Sequence, residues 1–434
     1  MYDWANSAYN LVITSTIFPA YYVGITANSN SSEQSYVYFF GRRFVNTALE
    51  NYTLAAVFLL VALTSPILSS IADYRRNKKI WMRWFCYIGS AACVALFFFA
   101  KDKTGHLNIE YGMFAFGIAA MGYWSSLVFY NSYLPDIAAP ADQDRISAKG
   151  YSLGYIGSVI LQIIAFVVIL KPEWFGLDKE DGTIGARISF LLTGLWWFGF
   201  AQITLRALPV SSRAERKSKK NVLANGFIEL KKVWYQLRHM PALSRFLFSF
   251  FLYSSGVQTV MLVAAGFGKK EIFPDEKDEP KLLMTIIIIQ LVAVIGAIVM
   301  SRLSRKIGNW WVIAIAVLIW IVVCVAGYNV QSQTAFYFLA ALVGLVMGGI
   351  QSMSRSTYSK LLPETQDTTS FFSFYDVTEK VAIVLGIFTF GYLEELTGSM
   401  RNSIIALGVF FVAAFLALLF AKSAFDKRMK EVNG

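Results

Sequence analysis

Charge is what this 434-residue chain has least of. Only 15% of its residues are Asp, Glu, Lys or Arg while 56% are hydrophobic, against about 25% and roughly 45–50% in soluble domains. That leaves too little polar sequence to cover a water-facing surface, which excludes an ordinary soluble protein. Histidine is nearly missing. The two present, His106 and His239, stand far apart in predicted loops, so neither a zinc site nor a His-based catalytic dyad can be assembled. The three cysteines, Cys86, Cys93 and Cys324, are odd in number and lie inside apolar stretches, which excludes a disulfide framework and a metal-ligand spacing. Cys86 and Cys93 share a helix face and read as packing residues. No G-x-x-x-x-G-K-[ST] loop is present to cradle a nucleotide, so ATP drive is not expected, and neither is any cofactor or metal. Nor is there a basic n-region with an A-x-A site at the start, so the first apolar stretch reads as a true span.

What is there is length and hydrophobicity in the right units. Crossing about 30 Å of hydrocarbon takes roughly 20 apolar residues as helix. Twelve segments qualify: 4–27, 52–72, 80–100, 109–134, 146–170 and 188–208, then 243–268, 282–301, 310–328, 335–353, 371–393 and 403–421. Between the sixth and seventh lies a hydrophilic stretch with Arg213, Arg216, Lys217, Lys219, Lys220, Lys231, Lys232 and Arg238. The division is therefore an N-terminal six-helix bundle (1–209), a basic linker (210–240) and a C-terminal six-helix bundle (241–434). Of the 39 Lys and Arg, 26 fall on the side of the even-numbered loops, linker and C-terminal tail and 12 on the other, which predicts cytoplasmic termini. The net charge of +11 is then a topology signal, and without interleaved aromatic residues it is no nucleic-acid footprint. Within the linker, 221–239 alternates apolar Val222, Phe227, Leu230, Val233, Trp234 and Leu237 with Lys231, Lys232 and Arg238, the pattern of an amphipathic helix on an anionic leaflet. The sequons at Asn30 and Asn51 carry no weight without a known compartment.

The loop after the second span reads Ala72-Asp73-Tyr74-Arg75-Arg76-Asn77-Lys78-Lys79. With the six-plus-six layout, it resembles the acidic and basic loop motif of the major facilitator superfamily, although Arg76 stands where a second glycine is usual. A carboxylate there can sit at a neighbouring helix N-terminus while the cations hold the cytoplasmic face shut. After the eighth span, Ser304-Arg305-Lys306-Ile307-Gly308 keeps the glycine but has Arg305 in the acid's place. Further words narrow the branch: Tyr2-Asp3-Trp4-Ala5-Asn6-Ser7-Ala8-Tyr9, Phe129-Tyr130-Asn131-Ser132-Tyr133-Leu134-Pro135-Asp136, Trp196-Trp197, Gly348 to Ser356, and Phe371 to Lys380. Together they resemble the vacuole-effluxer-like family, which includes the autophagy-related amino-acid effluxer of fungal vacuoles. The resemblance implies an all-α polytopic membrane protein of twelve helices in two bundles, and amino acids as first-choice cargo. Ser254 and Ser255 replace an Asn-Asp pair of that pattern, removing the acid a proton or cation site there would use.

Charged groups inside a span cost roughly 2.5–3.5 kcal/mol each on insertion scales and need a partner or a wet cavity. Asp376, Glu379 and Lys380 stand at i, i+3 and i+4 in the eleventh span, on one helix face. One lysine compensates one acid fully, so the other can carry a proton; the alternative is a weld to neighbouring helices. Asp3, Asn6, Tyr9 and Asn10 give the first helix a polar stripe for substrate contact or gating, with Asp3 read as an N-cap or interfacial residue, and Pro19 is a kink candidate. Tyr130, Asn131, Tyr253, Gln258 and Gln351 add neutral hydrogen-bonding groups that suit a polar, zwitterionic solute or bond between helices. Trp196 and Trp197 read as packing in a chain that is 16% aromatic. Asp73, Arg75, Asp136 and Arg355 are the gating candidates. Asp136 and Arg355 would exchange partners between states or snorkel into headgroups. Gly150, Gly154, Gly157, Gly344 and Gly348 mark close helix approaches.

The expectation is thus a secondary active transporter of a small polar solute, working by rocking of two halves around a midplane site between the first, fourth, seventh, tenth and eleventh helices. It would act as a monomer with membrane lipids, and possible protons, as its other partners, in a prokaryotic plasma membrane. A lipid or amphiphile flippase of the same fold, and a non-transporting sensor, stay open beside it. A membrane-embedded enzyme is disfavoured because no nucleophile and base are paired.

Overall fold

A helix satisfies its own backbone N–H and C=O groups, so a chain this poor in polar residues is built from helices. The computed structural model describes residues 1–27, 35–102, 104–178, 182–209, 222–275 and 278–433. The linker cations Arg213, Arg216, Lys217, Lys219 and Lys220 and the sequon at Asn30 lie outside the described residues. The elements are α1 (Tyr2–Tyr9), a π-helical segment (Asn10–Ile17), α2 (Phe18–Thr26), β1 (Tyr36–Phe39), β2 (Arg42–Val45), α3 (Asn46–Arg75), α4 (Lys78–Ala95), α5 (Ile109–Asn131), α6 (Leu134–Ile137) and α7 (Pro140–Leu170). They continue with α8 (Ile184–Ala207), α9 (Val222–Arg238), α10 (Pro241–Glu271), α11 (Glu279–Ile307), α12 (Asn309–Asn329), α13 (Gln333–Leu361), α14 (Thr368–Thr397) and α15 (Met400–Asn433). Ten of these are long and apolar enough to cross a membrane. The two other predicted spans are helical as well: the first as α1, the π segment and α2, the eleventh as α14 with its charged side chains.

The first span is not simply kinked at Pro19. The π segment precedes that proline, whose missing N–H leaves a carbonyl one turn earlier without its usual donor. Hydroxyls take up the widened turn: Ser15 Oγ donates to Asn10 O at 2.9 Å and Thr16 Oγ1 to Leu11 O at 2.7 Å, each five residues back. Asp3 is a buried residue of the first turn of α1 rather than its N-cap, which is Met1. An element without forewarning in the sequence is the antiparallel hairpin β1–β2, closed by Phe40 and Gly41, both at positive φ.

Several helices outrun their apolar stretches. α7 begins at Pro140 and takes in Asp142, Asp144 and Arg145, and α13 runs on to Leu361 past Arg355 and Lys360. Hydropathy ends a span at its first charge, whereas the backbone ladder continues wherever the charge finds a partner.

By packing, the chain divides into two compact units. One comprises Met1–Val61, Asn77–Leu127 and Gly154–Ser212, the other Ala62–Arg76, Val128–Leu153 and Arg213–Gly434. In the first, α1 packs on α8 and on α7, where a Cβ on Gly154 would come within 2.6 Å of Ser7 Oγ. Its core is aromatic: Phe18 stacks on Phe116 at 4.3 Å, and Trp196 lies against Trp4 at 5.6 Å and donates its indole N–H to Trp4 O at 3.0 Å. Trp197 is fully buried 5.6 Å from Tyr9, so both tryptophans are engaged within this unit. In the second unit α11 and α13 meet backbone to backbone. A Cβ on Gly348 would stand 2.1 Å from Ala293 O, and one on Gly344 2.4 Å from Ile289 O. Their N-terminal ends are clipped by Asp278, which accepts from Lys281 at 2.7 Å and Gln333 at 2.9 Å. Those hydrogen bonds, Lys281 first, hold its carboxyl below the usual carboxylate range.

Candidate functional site

Four polar groupings stand out in these apolar surroundings, three of them where the ends of α3, α5 and α7 meet the second half of the chain inside the second unit. Asp73, near the C-terminus of α3, reaches the first turn of α14. It accepts from Ser370 N at 2.6 Å, Ser370 Oγ at 2.7 Å and Thr369 N at 3.3 Å. A buried carboxylate on free N–H groups at a helix start gains from both charge-assisted bonds and the helix dipole. Beside it Ser132 Oγ and Thr369 Oγ1 lie 3.3 Å apart. Arg75 is exposed. Arg76 holds φ at +56°, so the position usual for glycine does need a left-handed backbone; the matching link after α11 uses Gly308 at +82°. The Arg76 guanidinium donates to Gln366 Oε1.

Arg355, buried in α13, donates through Nε to Ser147 Oγ at 3.0 Å, through Nη2 to Ser147 O at 3.0 Å and through Nη1 to Asn131 Oδ1 at 3.2 Å. Its guanidinium carbon sits 4.4 Å from the Tyr151 ring centre and 5.5 Å from that of Tyr130. Tyr130 and Asn131, two of the substrate-contact candidates, thus stand around Arg355 at a helix junction. Asp136 is exposed in α6.

The third grouping had not been foreseen. Lys360 Nζ donates to Asp144 Oδ2 at 2.7 Å and to Asn309 Oδ1 at 3.2 Å, while Asn309 Nδ2 and Ser304 Oγ donate to the same carboxylate at 2.8 and 2.9 Å. All four residues are buried. The signal lay in Asp144 and Lys360, but each falls just beyond an apolar stretch and reads as a loop charge until the helices are seen to extend.

The fourth is the charged face of α14. Lys380 Nζ bonds Asp376 Oδ1 at 2.8 Å and Glu379 Oε2 at 3.2 Å, and Gln258 Nε2 of α10 donates to Glu379 Oε1 at 2.7 Å. Lys380 and Asp376 are buried, and Glu379 keeps 18% of its side chain exposed. Asp376 Oδ2 is buried beside the Ser65 hydroxyl but makes no well-formed hydrogen bond among the described residues. Tyr253 shares a 2.7 Å bond with Ser354 Oγ, and Gln351 Nε2 reaches Met261 Sδ at 3.2 Å. In the first unit, Asn6 is fully buried with its Nδ2 unpartnered among the described residues, Tyr9 is buried 4.9 Å from Tyr123, and Asn10 is half-buried at the start of the π segment.

A family model described as "Vacuole effluxer Atg22 like" matches residues 1–431. The chain belongs to this Atg22-like family. Its relatives include an uncharacterized MFS-type transporter, YxiO, of Bacillus subtilis, 30% identical over 97% of this chain and 93% of that protein. Autophagy-related protein 22-2 of Aspergillus niger is 24% identical over 90% of this chain and 77% of its own length. Among solved structures, FucP in the outward conformation superposes with a TM-score of 0.69 at 11% identity, covering 97% of this chain and 96% of that one. A bacterial homologue of the iron transporter ferroportin, in an outward-facing state, gives 0.64 at 12%, covering 99% and 97%. The fold is that of the major facilitator superfamily, and this Atg22-like chain is an integral membrane secondary transporter, not an enzyme.

Proposed function

We propose that this Atg22-like transporter moves a small polar solute, amino acids first, by alternating access, and that a proton travels with it through the α14 cluster. The supporting observation is the set Gln258, Asp376, Glu379 and Lys380: two carboxylates share one ammonium, leaving a proton-binding place unfilled in a buried setting. Glu379, partly exposed and held by a neutral amide, is the group a solute's ammonium would engage by displacing Gln258. Tyr253 and Gln351 add neutral contacts on the same unit, and Asn6, Tyr9 and Asn10 offer a polar stripe on the other. A proton moving down 100 mV supplies about 2.3 kcal/mol, enough for accumulation of some tens-fold.

Asp73, Arg355 and the Asp144–Lys360 pair act as gates that hold the cytoplasmic side closed while the opposite side is open, the state named for the FucP and ferroportin-homologue structures. Residues 1–209 and 241–434 are the bodies that rock, joined by 210–240, in a monomer whose termini face the cytoplasm. The close length match with the Bacillus subtilis relative favours a prokaryotic plasma membrane. Uptake of labelled amino acids into proteoliposomes, with and without an imposed pH gradient, tests the reading. Wild type should accumulate cargo with the gradient, while Glu379→Gln or Asp376→Asn should lose the gradient's effect, a fall of at least tenfold, yet retain exchange. If no amino acid moves through correctly inserted protein, the cargo assignment fails.

A further inference from the structure

Helix α9 and the outer faces of α10 and α14 enclose a groove of about 430 Å³ whose walls include Trp234, Leu237, Phe248, Phe251, Phe374 and Val381, with Arg238 at the same site. None of these residues belongs to the charged cluster or the gates proposed above. The groove is built rather than accidental: Val233 and Leu237 anchor α9 by burial, Trp234 lies 5.6 Å from Phe374, and Lys232 bonds Asp367, the residue before α14, at 3.0 Å. We infer that it is a binding site for one anionic phospholipid, with an acyl chain between α10 and α14 and the phosphate on the basic face of α9.

Two observations choose this occupant. The first is location. The groove opens at the N-terminal turns of α10, where α9 meets a membrane span, and Phe248 (60% exposed) and Val381 (48%) carry its apolar walls onto the lipid-facing surface. An occupant that continues along those walls is itself within the bilayer. The second is charge. Lys231, Trp234 and Arg238 stand at i, i+3 and i+7 on one helix face, all exposed, with the Arg238 guanidinium 5.1 Å from the Trp234 ring. Cations flanking an indole at the head of an apolar slot match a phosphate above a hydrocarbon chain, and a zwitterionic headgroup, whose ammonium offsets its phosphate, would compensate them less than an anionic one. Phe374 and Val381 belong to the helix that carries Asp376, Glu379 and Lys380, so the lipid braces the charged helix from its outer side.

Native mass spectrometry of the full chain, released from micelles containing equal phosphatidylglycerol and phosphatidylcholine of matched chains, tests this. Wild type should retain one phosphatidylglycerol in preference. Arg238→Gln and Lys231→Gln should each lower that preference about fivefold, and Val377→Trp, which fills the groove, should lower retention of both lipids. Both charged positions are exposed, so their variants decide the matter even if Val377→Trp does not insert. Equal retention of the two lipids by wild type, or a preference that survives both charge variants, means annular lipid only and overturns the inference. Retention of neither lipid shows that the groove holds no phospholipid and overturns the inference as well.

Discussion

Asp73 is the single side chain on which the proposed gate rests most directly. Its carboxylate satisfies N–H groups that the first turn of α14 cannot satisfy within the helix. Asp73→Asn keeps the shape but turns charge-assisted bonds into neutral ones and sets an amide N–H against donors. The closed arrangement should lose about 1–3 kcal/mol, a roughly 5- to 150-fold shift toward opening. A thiol at Ser132, fully buried beside Thr369, reports this. Alkylation of Ser132→Cys should be slow in the parent and at least fivefold faster with Asp73→Asn, on a quiet background because Cys86, Cys93 and Cys324 are all buried. Equal rates would mean that Asp73 does not hold the gate. The Asp144–Lys360 pair calls for a cycle instead. Lys360→Met alone strands a buried carboxylate and should cost about 3–5 kcal/mol, whereas adding Asp144→Asn should recover much of it. Unfolding midpoints in detergent read both variants, and additive losses would show that the two residues are not coupled.

At the scale of the helix, most of the architecture was legible because hydropathy and helix length are bound together by the bilayer's thickness. What escaped lies at helix ends and in backbone detail. The two final turns of α13 and the first turns of α7 carry Arg355, Lys360 and Asp144, charges that only a partner far off in sequence makes tolerable. No local pattern announces such a partner. The π segment escaped because i−5 hydroxyl bonds leave the hydrophobic pattern nearly unchanged, and the hairpin because four-residue strands carry too little periodicity. Of the site, Asp376, Glu379 and Lys380 were readable from their spacing, while Gln258 as the partner of Glu379 was not. The glycine spacing of α13 was readable as well, and it has a sharp consequence. Gly348→Val puts a branched side chain where even a Cβ would stand 2.1 Å from Ala293 O, so α11 and α13 must part. A loss of about 1–3 kcal/mol or more is the expected result. Gly391→Ala in α14, with nothing within 4 Å, is the control and should leave the unfolding midpoint unchanged or slightly raised. A midpoint equally insensitive to both substitutions would deny the close contact.

For the whole molecule, the segments Ala62–Arg76 and Val128–Leu153 pack with the second half of the chain rather than with their own. Under the gating proposed above those contacts break once per cycle, so each of the three polar junctions has to be strong enough to close and weak enough to release. Hydrogen-bonded charges suit that duty better than hydrophobic packing, because water and headgroups can replace their partners when they separate. The decisive test is to prevent the separation. Ser132 Oγ and Thr369 Oγ1 lie 3.3 Å apart on segments from different halves of the chain, so Ser132→Cys with Thr369→Cys places two thiols within bonding reach. Oxidation should stop solute flux in proteoliposomes almost completely, and a membrane-permeant reductant should restore it. Each single variant should transport at rates near the parent's with or without oxidant, which separates locking from damage. Binding of solute from the opposite side should survive in the oxidised protein, since only the closed gate is fixed. Undiminished flux through a fully cross-linked protein would show that this junction stays shut throughout the cycle, and that the solute's path opens somewhere else.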